Sequence, residues 1–94
     1  MFIVLLRFSD NKARAGQFME GHKEWIRRGF DDGLFVMAGS LQPSRGGMLL
    51  ATGASRAELE ARVNADPFVV ERVVEAEILE VAPSRADPRL AFLA

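Results

Sequence analysis

The chain opens with MFIVLLRF, and this run constrains the fold more than any other stretch. Alternate side chains of a β-strand leave on opposite faces. Phe2, Val4 and Leu6 share one parity, Ile3 and Leu5 the other, and both sets are apolar. A strand of this kind belongs in the middle of a sheet that is covered on both sides. Residues 34–41 (LFVMAGSL) and 48–52 (MLLAT) repeat the pattern, with Phe35 and Met37 at the same parity. The sheet therefore needs two coverings, and the rest of the chain must be searched for them.

After the first strand, Ser9, Asp10 and Asn11 supply turn and cap chemistry. From about Lys12 to Asp31 the apolar spacing becomes helical: Ala15, Phe18, His22, Trp25, Ile26 and Gly29 fall three or four apart on one face. Gly33 ends this helix. The segment QPSRGG joins strands two and three as a hairpin, with Gly46 and Gly47 able to take positive φ. Ser55 and Glu58 have capping-box spacing ahead of a helix over 56–64. Asp66–Pro67 opens one further short turn, and residues 73–81 form a fourth strand.

The order is βαββαβ, the ferredoxin-like split-βαβ arrangement: an α+β fold whose four-stranded antiparallel sheet carries both helices on one face. No element remains to cover the second face, so the expected partner is a second copy of the chain, packed sheet to sheet as a homodimer. Residues 1–83 make one domain. Residues 84–94 form a tail whose closing LAFLA is expected to pack on the dimer partner or across a groove mouth, a frayed terminus being the alternative.

Composition narrows the function classes. With 49% apolar residues and a net charge of −1, the chain can build a core and has no electrostatic bias towards phosphates. Its ten arginines and two lysines are scattered, so nucleic acid is not an expected partner. The opening apolar run is broken by Arg7, too short to span a bilayer and without a cleavage site. A soluble, cytoplasmic protein is expected, with no membrane partner. Cysteine is absent, which removes thiolate ligands and nucleophiles.

Phosphate-binding glycine loops, zinc-protease and redox motifs and the nucleophile elbow are all missing. One histidine is a thin basis for a metal site, so no metal or other cofactor is expected. That histidine, His22, lies on the inward stripe of the first helix. It is either a core imidazole with satisfied nitrogens or an acid–base group in a pocket between helix and sheet. Asp66 also reads two ways: as an N-cap carboxylate, or as the group that orients the imidazole.

Taken together, Arg14 ahead of a helix histidine, Gly33–Leu34, Ala38–Gly39, Gly46–Gly47, Ser55 and Asp66–Pro67–Phe68 resemble the YciI-like (YCII-related) domain over residues 1 to about 83. The resemblance implies a dimeric α+β barrel with an active site built around His22 and Asp66. Relatives with known chemistry eliminate chloride from a chlorinated hydroxyquinol, and related muconolactone isomerases act on ring-cleavage intermediates without a cofactor. Where many relatives have Ala-Gly-Pro, this chain has Ala38–Gly39–Ser40, which puts an extra hydroxyl at the expected pocket rim, as hairpin polarity or as a substrate contact. The expected function is a cofactor-independent elimination or isomerisation of a hydroxylated aromatic, lactone or similar metabolite. His22 is the acid–base group and Asp66 its orienter. Arg14 or Ser40 binds a substrate oxygen, and Phe18 and Trp25 form an apolar wall. The competing readings are a non-catalytic small-ligand-binding dimer and a purely structural or interaction domain.

Overall fold

A computed structural model describes residues 1–93; the last residue of the tail, Ala94, lies outside the described residues. The elements are β1 (Phe2–Phe8), α1 (Ala15–Asp31), β2 (Phe35–Leu41), β3 (Gly46–Ala51), α2 (Arg56–Asn64), α3 (Pro67–Val70) and β4 (Val74–Glu80). Short 3₁₀ turns lead into α1 at Lys12–Arg14 and close the described residues at Pro88–Leu93. The order is the expected βαββαβ, and the four strands form one antiparallel sheet in the order β2-β3-β1-β4. No helix among the described residues is long and apolar enough to cross a membrane.

β1 sits centrally because it is apolar on both faces. Phe2, Val4 and Leu6 are buried beneath the helices, while Ile3 and Leu5 on the other face stay half-buried. The core continues through Phe35, Leu49 and Ala51 from the sheet and through Trp25, Leu59, Val63 and Phe68 from the helices. Trp25 donates its indole N–H to the carbonyl of Arg62 at 2.9 Å, which ties α1 to the end of α2. The Ser55 cap forms in both directions: Ser55 Oγ accepts from the Glu58 amide and the Glu58 carboxylate accepts from the Ser55 amide, each at 3.1 Å. These bonds, the Ser55 amide first, hold the Glu58 carboxyl below its ordinary pKa. The cap's contribution is therefore complete above the usual glutamate range and is lost as pH falls through that lowered value.

Two details depart from the sequence reading. Between Phe35 and Met37 the β2–β3 ladder slips by one residue, with Phe35 opposite Ala51 and Met37 opposite Leu50. This bulge at Val36 reverses the parity of everything after it. Phe35 faces the helices at 2% exposure, whereas Met37 faces the other way at 46%. The hairpin is also tighter than expected. Gly46 and Gly47 are already paired in β3, and only Gly46 has positive φ, at 131°.

Gly29 is where helix meets sheet most closely. A Cβ built there would lie 2.1 Å from the Phe35 ring, which is itself wedged against Trp25 and Phe30. In an exposed helix Gly→Ala stabilises by up to about 1 kcal/mol. Here the added methyl collides with a ring that has nowhere to go, and overpacking of this kind costs about 1–3 kcal/mol. Gly29→Ala is thus expected to lower stability, with a denaturant midpoint below that of wild type. A midpoint at or above wild type would contradict the packing.

Candidate functional site

α1 carries His22 inward one turn before Trp25, and α3 brings Asp66 to it from 44 positions along the chain. The approach is close because Gly21 faces Pro67; a Cβ at Gly21 would sit 3.2 Å from the proline ring. Asp66 Oδ1 lies 2.8 Å from His22 Nδ1 and accepts the Phe68 amide at 3.0 Å. One oxygen thus serves as both the N-cap and the imidazole partner, so the two roles weighed for Asp66 coexist. The aspartate is fully buried and the imidazole is 13% exposed.

An ionised carboxylate only accepts hydrogen bonds, so the contact places a proton on Nδ1 and leaves the lone pair of the neutral imidazole on Nε2. Among the described residues Asp66 Oδ2 is the one buried side-chain oxygen or nitrogen without a partner. The unpaired Nε2 is therefore not sealed in the core. Flat faces clamp the ring: Phe68 lies parallel to it at 4.0 Å and 4°, and Trp25 stacks at 5.9 Å and 23°.

His22 lines a cavity of about 340 Å³ between α1 and the sheet. Met19 and Ile26 join it from α1, Phe8, Phe68 and Val74 add to the apolar lining, and the floor crosses β2, β3 and β1 through Ser40, Gly47 and Leu6. In the sheet ladder Ser40 is opposite Gly47, and Gly47 is opposite Leu6, so the three form one row. His22 is the only titratable side chain in the lining, and Ser40 supplies the only hydroxyl. The bulge at Val36 is what turns Ser40 to this face.

Of the six residues singled out from sequence, His22 and Asp66 are in direct contact and Ser40 shares the cavity with His22. Trp25 stands behind the imidazole in the core. Phe18 packs beside the core, outside the cavity lining, and Arg14 lies over its ring at 5.3 Å. Arg14 also pairs with Glu71 at 3.4 Å on the exposed side. The sequence alone points to no role for Phe68 or Gly47 in the site. Phe68 was visible as the third residue of D-P-F, but its stacking depends on the turn of α3. No cluster of three or more potential metal ligands occurs among the described residues.

No family model matches the chain, and no curated protein matches its sequence. Among solved structures, the fold is similar to that of 5-chloro-2-hydroxyhydroquinone dehydrochlorinase from Burkholderia phenoliruptrix, solved in complex with 2,5-dihydroxybenzoquinone. The match has a TM-score of 0.71 at 13% sequence identity and covers 87% of this chain and 94% of that one. It establishes a shared fold.

The tautomer is directly measurable. With a single histidine, the ¹⁵N resonances of the imidazole need no assignment, and the neutral form is expected to carry its proton on Nδ1. A neutral Nε2–H form would contradict the hydrogen bond to Asp66.

Proposed function

We propose that the protein is a small enzyme that performs base-promoted elimination or isomerisation on an oxygen-bearing ring, with His22 Nε2 as the base. The observation that carries this reading is the buried Asp66–His22 pair, which leaves its one free nitrogen beside an apolar cavity. Nε2 takes a proton from a ring hydroxyl or an acidic ring carbon, and the electron pair moves into the ring. In elimination the imidazolium first returns the proton to the chlorine-bearing ring carbon. Loss of a second hydroxyl proton then forms a new π bond, and chloride departs with the electrons of its own C–Cl bond. In isomerisation the imidazolium returns the proton at another atom. Asp66 holds the charged imidazole through Nδ1–H, and Trp25 and Phe68 fix its plane. Ser40 offers a hydrogen bond to a second ring oxygen, and the apolar walls limit water. No cofactor enters this scheme.

The YciI-like motifs of the sequence and the likeness to a dehydrochlorinase fold both favour ring chemistry over other uses of such a pocket. A cavity holding one titratable side chain also suits a carrier or sensor of the same ligands, and one pair of variants separates the readings. Turnover of a chlorinated hydroxyquinol, followed by chloride release, is expected to fall by at least about 10²-fold in His22→Ala. Asp66→Asn is expected to lose about 1–3 kcal/mol of stability along with activity. A wild type that binds such rings with no turnover would make the protein a binder. Variants that lose only thermal stability would make the pair structural.

The face of the sheet away from the helices carries Ile3, Leu5, Leu50, Met37 and Leu79, the last two 46% and 40% exposed. The Arg7–Glu77 ion pair lies on the same face. We propose that a second copy covers this face, sheet to sheet. Leu90 and Phe92 of the tail, exposed at 44% and 60%, would extend the apolar contact. Light scattering is expected to give a dimer, and Leu5→Lys is expected to weaken it. A monomer at micromolar concentration would overturn the assembly.

A further inference from the structure

Five of the eight glycines are explained by local geometry. Gly33 and Gly53 have positive φ at 73° and 77°, and Gly46 combines a φ of 131° with a virtual Cβ 1.9 Å from the Leu6 carbonyl. Gly29 and Gly21 give way to Phe35 and Pro67. Gly16, Gly39 and Gly47 have no such reason; Gly16 lies on α1 away from the cavity and Gly39 is opposite Met48 on the outward row, which leaves Gly47 on the row facing the helices. Its φ lies outside the positive region, and an added Cβ would meet only the Gly39 carbonyl, at 3.4 Å. A glycine within a strand weakens it, through chain entropy and the loss of a side chain to pack. Without a backbone demand, its remaining use is to leave room for something that lies on the strand.

The room is in the His22 cavity. Gly47 is the middle of the floor row, with Ser40 on one side and Leu6 on the other. An apolar cavity of about 150 Å³ holds one benzene ring. The 340 Å³ here accommodates one substituted ring, with space for its oxygens. We propose that Gly47 is the specificity-determining residue of the pocket: its bare backbone is the seat on which a planar, oxygen-bearing six-membered ring lies, beneath His22 and beside the Ser40 hydroxyl. This rests on the reading of the cavity as a site for such rings and adds to it a residue that makes no polar contact of its own.

The geometry forecasts an unusual pair of effects. Filling the seat should stabilise the empty protein while excluding the ligand. Gly47→Ala and Gly47→Val are expected to raise Tm by a few degrees, because each relieves a strand glycine and Val adds apolar contact. Binding of 2,5-dihydroxybenzoquinone and of phenol, followed through the His22 ring resonances, is expected to weaken about tenfold in Gly47→Ala. In Gly47→Val it is expected to weaken about a hundredfold. Gly16→Ala serves as the control. Its site is open, in the first turn of α1 and away from the cavity, so it should raise Tm without changing affinity.

Unchanged affinity in both Gly47 variants overturns the assignment. So does a lower Tm in Gly47→Val, since the space above the strand would then not be free. If the quinone fails to bind wild type but phenol binds and is lost in Gly47→Val, the seat stands and the preference for polyoxygenated rings falls. If neither probe binds wild type, both the seat and the site reading are wrong.

Discussion

The buried carboxylate of Asp66 is the junction on which the helical layer turns. A fully buried aspartate is expensive unless its oxygens are used, and here Oδ1 takes two donors, the Phe68 amide and the His22 ring, while Oδ2 has none. The first bond starts α3; the second fixes where α1 may lie. Gly21 permits the approach by leaving space for Pro67. The Phe68 ring that follows comes to rest flat on the imidazole it helped to place. Orientation of the histidine is thus a by-product of how a four-residue turn begins.

The sheet imposes the other constraint. Helices cover one face, where Phe2, Val4 and Leu6 disappear into the core, and the opposite face keeps a mainly aliphatic surface. Burial alone would fill the helix side completely. It is incomplete around the Ser40–Gly47–Leu6 row, because two of those three residues are small and α1 presents His22 in place of a longer aliphatic chain. Packing elsewhere is tight enough that Gly29 cannot accept a methyl, so the cavity is a local feature and not general looseness.

Much of this was legible in the sequence, and the reason is physical range. The inward turn of His22 follows from helical spacing with Phe18 and Ile26, and the Ser55 cap from a four-residue pattern. The two-sided character of β1 follows from its alternation. Features set by pairing between distant segments were not legible. Nothing in FVMAG marks Val36 as a bulge, so simple alternation puts Met37 with Phe35, whereas the register gives it to the other face. Adjacent Gly46 and Gly47 look alike in sequence. Only the register against Leu6 and Arg7 shows that one serves the backbone and the other the cavity floor. Arg14 and Phe18, chosen from the sequence as ligand contacts, stack on each other outside the lining, since the helix reaches the cavity further along, at Met19 and His22.

The bulge has a consequence beyond local shape. In β2 beyond Val36 the side chains of Ala38 and Ser40 face the cavity, and those of Met37 and Leu41 face the outer surface. Adding one residue between Met37 and Ser40 would exchange the sets beyond it and carry Ser40 out to the open face, whereas removing Val36 would only straighten the ladder. The lining and the outer surface are therefore coupled under insertion, while the bulge gives a deletion somewhere to be absorbed. Substitution changes one and spares the other; an added residue turns the end of the strand inside out.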